Sequence, residues 1–152
     1  MKNSNILRLT QGALVGAIYV CLSLIPPMNA ISYGPVLFRI AEAFMLTCLL
    51  SPTCVTGVSA GCFLANLFSP YGANVFDLVL GTLATVIAAL ITYFLRNLFS
   101  KNKFTMLAAP LPTIISNALI VGSYLPFLTG TGSNFISVIY CMTTVALGET
   151  AV

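Results

Sequence analysis

All three acidic side chains of this chain, Glu42, Asp77 and Glu149, lie inside long apolar stretches, and one arginine, Arg39, lies among them. The remaining cations, Lys2, Arg8, Arg96, Lys101 and Lys103, fall at ends and in a connector. An ion placed in a bilayer costs about 3 kcal/mol or more. Four such ions in so apolar a chain point to a polar pocket enclosed by helices.

Of the 152 residues, 59% are hydrophobic and 6% are charged. A soluble domain carries roughly 25% charged residues, so this composition builds no soluble surface and predicts an integral membrane protein. The length gives one domain, residues 1–152, with room for five or six spans of about 20 residues each. The net charge of +3 belongs to membrane orientation, because no Lys/Arg cluster interleaves with aromatics as a nucleic-acid surface requires.

Histidine is absent, which removes the usual general base and the commonest transition-metal ligand. Cys21, Cys48, Cys54, Cys62 and Cys141 show no CxxC spacing and read as small packing residues. There is no GxxxxGK[ST] and no GxSxG. No enzyme, no cofactor and no metal site is expected. A solute moved uphill would draw on an ion gradient or on a partner ATPase.

The apolar runs divide the chain into six segments. The first runs from about Ile6 to Leu24 and stops at Pro26-Pro27, which cannot continue a helix. Residues Pro26–Leu37 form an uncharged irregular stretch. Two short runs follow, Phe38–Leu50 and Cys54–Phe68, broken at Ser51-Pro52-Thr53. At about 20 Å each against a hydrocarbon core of about 30 Å, they either gain length from their flanks or form a re-entrant hairpin. The fourth segment is Asn74–Leu95, the fifth about Phe104 to Leu125, and the sixth begins near Phe135 and is still apolar at Val152. That open end predicts a truncated last helix. The five cations outside the apolar runs fall on one side, so the positive-inside rule makes the N-terminus and the Arg96–Lys103 connector cytoplasmic. A hairpin in place of the second and third spans leaves this orientation unchanged.

Small residues four apart mark close helix contacts: Gly12 and Gly16 beside Ala13 and Ala17, Gly57 and Gly61 with Ala65, then Gly81, Thr85 and Ala89, then Ala118 and Gly122. Most belong in any helical bundle. The first helix is unusual in carrying two adjacent smooth stripes, one for its own bundle and one for a separate protein.

With this topology Arg39 and Glu42 share one face at the outer start of the second segment. Asn66, Asp77 and Asn117 come to a similar depth, whereas Glu149 lies deeper. The bland alternatives are a self-neutralising Arg39–Glu42 pair, an interfacial cap at Asp77, and interhelical glue at Asn66 and Asn117. Taken together, the ions leave two surplus negative charges, suited to a cationic or donor-rich ligand. Tyr33, Tyr71 and Tyr124 either stack on a flat ring or anchor the interface. A small channel or scaffold protein without a bound solute is the reading from a different class.

The stretches Ile31–Ala43 (with Arg39-x-x-Glu42), Gly61–Pro70 (with Ala65-Asn66-Leu67), Asp77–Arg96, Pro110-Leu-Pro112, Asn117–Gly122 and Leu147-Gly-Glu149 resemble the QueT-type family across nearly the whole chain. These are substrate-binding (S) components of energy-coupling factor (ECF) transporters for queuosine precursors. The resemblance implies an all-α membrane protein, a six-transmembrane-helix bundle with an outward-facing pocket capped by Pro26–Leu37. It implies partners too: a transmembrane coupling protein, met by Ala13 and Ala17, and two cytoplasmic ATPases. The implied substrate is a 7-deazaguanine such as 7-aminomethyl-7-deazaguanine, held by residues among Arg39, Glu42, Asn66, Asp77, Asn117 and Glu149, in a bacterial cell membrane. The same architecture serving another vitamin or nucleobase is the alternative.

Overall fold

The structure is a computed structural model that describes residues 2–26, 40–69, 74–99, 108–129 and 134–151. Among these residues there are helices and no strands. They are α1 (Lys2–Leu24), α2 (Ile40–Leu49), α3 (Pro52–Leu67), α4 (Asp77–Phe94), α5 (Arg96–Phe99), α6 (Leu111–Thr129) and α7 (Phe135–Thr150).

The local sequence explains the boundaries. Helix α1 ends two residues before Pro26, as expected. Ser51 caps α3, its side chain accepting from the Thr53 amide, and Pro52 occupies the first turn, where its missing N–H is no loss. The run at 38–50 differs from expectation in kind, since α2 is a ten-residue 3-10 helix. At about 2 Å per residue this tighter helix reaches roughly 20 Å, longer than an α-helix of equal residue count. Helix α4 opens with a π-helical turn, Asp77–Gly81, before the regular stretch Thr82–Phe94.

The expected start of the fifth segment, near Phe104, lies outside the described residues. Residues Ala108–Pro110 form a turn, so α6 starts at Leu111 with Pro112 in its first turn, and it runs through Pro126 to Thr129. Two helical stretches, Asn5–Leu24 and Asp77–Phe94, are long and apolar enough to cross a membrane, and four shorter apolar helices accompany them.

Helix α1 packs most extensively on α3, and α6 on α7, while α4 touches both α3 and α6 and α2 fits against α1, α3 and α4. The interior is built of small side chains: Ala84, Ala88, Ala89, Cys62 and Thr85 are fully buried. Large apolar side chains point outward instead, with Phe135 79% and Ile136 81% exposed. That inversion suits a lipid surround, where close backbone approach rather than bulky apolar burial holds helices together. The α1–α3 seam shows it most directly. A Cβ on Gly16 would lie 2.8 Å from the Gly57 carbonyl oxygen, and one on Gly12 2.9 Å from that of Thr53. The Gly12/Gly16 stripe therefore faces the protein's own α3, and Ala13 and Ala17 are left exposed.

Candidate functional site

The polar side chains within the bundle fall into two hydrogen-bonded groups. In the first, Tyr19 of α1 donates its hydroxyl to Glu42 Oε1 at 2.7 Å, and Asn117 Nδ2 of α6 donates to Glu149 Oε1 at 2.8 Å. All four residues are buried. Glu42 and Glu149 border one cavity of about 60 Å³, together with Met45, Leu46, Pro110, Thr113 and Ile114. Helices α2, α6 and α7 thus bring two carboxylates, far apart in sequence, to one void.

The second group is centred on the π-helical start of α4. Tyr124 of α6 donates to Asp77 Oδ1 at 2.6 Å, and Asn66 Nδ2 donates to the Asp77 carbonyl oxygen at 3.0 Å. Asn66 Nδ2 also lies 3.6 Å from Cys62 Sγ, which in turn sits 3.2 Å from Thr85 Oγ1. Gly81 permits this crossing: a Cβ there would stand 3.2 Å from Asn66 Nδ2 and 3.4 Å from the Tyr124 hydroxyl. Such π turns recur at functional sites. Asp77 itself is half-buried, and Phe76 stacks on Tyr124 with ring centroids 6.5 Å apart.

The residues singled out from sequence are thus distributed in a definite way. Glu42, Asn117 and Glu149 belong to the first group, Asn66 and Asp77 to the second. Glu149, expected apart from the rest, is tied to Asn117 and shares the cavity with Glu42. Arg39 lies outside the described residues, as do Tyr33, Tyr71 and most of the Pro26–Leu37 stretch. Tyr124 is no interfacial anchor, since it is buried and bonded to Asp77.

Tyr19 and Thr113 were missed. Both carried a signal: Tyr19 continues the Gly12/Gly16 face of α1, and Thr113 lies one helical turn before Asn117. A third feature is a broad groove of about 890 Å³ along α1 and α3. Ala13, Ala17 and Cys21 line it on one side, and Thr56, Ala60 and Leu64 on the other.

The QueT transporter family matches residues 9–152. The chain is similar to the queuosine precursor transporter QueT of Lactococcus lactis subsp. cremoris (strain MG1363), 31% identical over 104 residues. That alignment covers 68% of this chain and 60% of the relative, so the chain spans less than two thirds of the relative's length. No solved structure matches. With residues 9–152 matched end to end, the chain belongs to the QueT transporter family.

Proposed function

We propose that this protein is the substrate-binding subunit of an ECF-type importer and takes up a queuosine precursor of the 7-deazaguanine class. Family membership makes it a membrane transporter protein and is consistent with a non-enzymatic role. The named relative handles a queuosine precursor, and that substrate class carries over here as part of the proposal. The observation that carries the reading is the pair of buried, hydrogen-bonded carboxylates, Glu42 and Glu149, on one small cavity. A lipid-embedded bundle keeps such ions where a ligand or a proton pathway needs them.

In this reading the apolar segments form six transmembrane helices with the N-terminus cytoplasmic. Asp77, on the half-buried start of α4, takes the donor-rich edge of the base, since a carboxylate accepts paired N–H donors. The coupling protein docks on α1, where Ala13 and Ala17 are exposed along the groove, and two cytoplasmic ATPases drive the cycle. The test is uptake of labelled 7-aminomethyl-7-deazaguanine by cells lacking other importers. Uptake that requires this protein, the coupling protein and both ATPases together supports the proposal. Uptake without the ATPases, or none with all four, overturns it.

A further inference from the structure

We propose that Asn66 is a positioning residue and not a ligand contact: it sets the Asp77 carboxylate by holding the π-helical turn that opens α4. This rests on the role given to Asp77 above and deepens it. The turn Asp77–Gly81 is flanked by ordinary helical backbone at Phe76 and Thr82. A π turn closes its hydrogen bonds one residue later than an α turn. The widened winding opens the regular i→i+4 ladder to donors from outside the helix.

Side chains take up carbonyls at both ends of this turn. Asn66 Nδ2 of α3 donates to the Asp77 carbonyl oxygen at 3.0 Å, and Thr85 Oγ1 donates to that of Gly81 at 3.2 Å. The second is the back-bond a threonine commonly makes inside its own helix. The first is not local, because it crosses from one helix to another. Cys62 lies between the two donors, with Sγ 3.6 Å from Asn66 Nδ2 and 3.2 Å from Thr85 Oγ1. Asn66, Cys62 and Thr85 are all buried, so a polar chain in the interior braces the first and last residues of the turn.

Burial separates the two roles. Asn66 is 2% exposed and has almost no surface to offer a solute. Asp77 is half-buried and is the more accessible of the pair. Without the Asn66 bond the turn is free to tighten into α-helix. Drawing one residue out of the winding rotates whatever precedes it by about 100° and shifts it by about 1.5 Å along the axis. That motion carries Asp77 Oδ1 off the Tyr124 hydroxyl, now 2.6 Å away, and takes Phe76 out of its stack on Tyr124. Gly81 protects the same geometry. A Cβ there would stand 3.2 Å from Asn66 Nδ2 and 3.4 Å from the Tyr124 hydroxyl, so a methyl group at this position pushes on the Asn66 amide.

The experiment is isothermal titration of the detergent-solubilised protein with 7-aminomethyl-7-deazaguanine. It compares wild type, N66L and G81A, each with and without D77N, and thermal melting shows which variants are folded. N66L should weaken binding roughly tenfold when Asp77 is present. Beside D77N it should weaken binding by less than about twofold, because a residue that acts through Asp77 then has nothing left to position. G81A leaves the Asn66 side chain in place and serves if N66L does not fold. It should bind roughly fivefold more weakly alone and less than about twofold more weakly beside D77N. Equal losses with and without Asp77 would make Asn66 a direct contact or a general support, and no loss from either variant would deprive the turn of influence. Either result overturns the positioning role and leaves the transport function standing. A D77N protein that binds like wild type would overturn this role together with the part given to Asp77. A wild-type protein that does not bind would remove the function proposed above, and with it the contact that Asn66 positions.

Discussion

Two neighbouring substitutions on α1 separate the stripe that holds the protein together from the stripe that faces outward. In G16A the added methyl carbon would sit 2.8 Å from the Gly57 carbonyl oxygen, where ordinary contact begins near 3.4 Å. The obstacle is backbone, so the helices themselves must separate by roughly half an ångström, and overpacking of this kind costs about 1–3 kcal/mol. The seam runs through Gly12, Gly16, Gly57 and Gly61, leaving few places to absorb the shift. For a chain of this size each kcal/mol lowers Tm by roughly 2–4 °C, which gives a drop of about 2–12 °C. A17V, one residue further on, adds two methyl groups to an exposed position and should change stability by less than about 0.5 kcal/mol. Thermal unfolding in detergent, followed by fluorescence-detected size exclusion, measures both. A G16A protein as stable as wild type, or an A17V protein equally damaged, would refute the assignment of the two stripes.

Other substitutions address the polar groups and the partner. N117L removes the donor at 2.8 Å from Glu149 and should cost about 1–3 kcal/mol of stability, since a buried carboxylate then lacks that hydrogen bond; denaturation midpoints report it. D77N retains an oxygen to accept from Tyr124, so it should leave stability nearly unchanged while weakening precursor binding by about 1.5–3 kcal/mol; titration and melting together test this. A13W and A17W, which fill the groove beside α1, should abolish uptake and loss of co-purification with the coupling protein should accompany it, while ligand affinity stays intact. Loss of ligand affinity in both would mean misfolding instead.

Much of the architecture follows from residues readable one at a time. Pro26 ends α1, Ser51-Pro52 starts α3, and the apolar runs mark every described helix except α5, which lies in the stretch read as the Arg96–Lys103 connector. What one-dimensional periodicity does not hold is the kind of helix. A run of ten apolar residues reads the same as an α-helix or as the 3-10 helix α2, because the choice between them is settled by packing against α1, α3 and α4. The start of α6 has a similar cause, since Pro110 and Pro112 permit a boundary on either side of them.

At the site, the charged residues stood out because ions are rare in such a composition, and Glu42 and Glu149 indeed meet at one cavity. Two uncharged neighbours did not stand out. Tyr19 and Thr113 are ordinary residues in apolar helices, and only the crossing of α1 with α2, and of α6 with α7, gives them a role. The division into two groups was hidden for the same reason: depth along a helix can be counted from sequence, but which face meets which neighbour cannot.

The most direct measurement is an experimental structure of the protein with 7-aminomethyl-7-deazaguanine bound in lipid nanodiscs. The account predicts the ligand seated at the cavity bordered by Glu42 and Glu149. A ligand seated in the α1–α3 groove instead would contradict it.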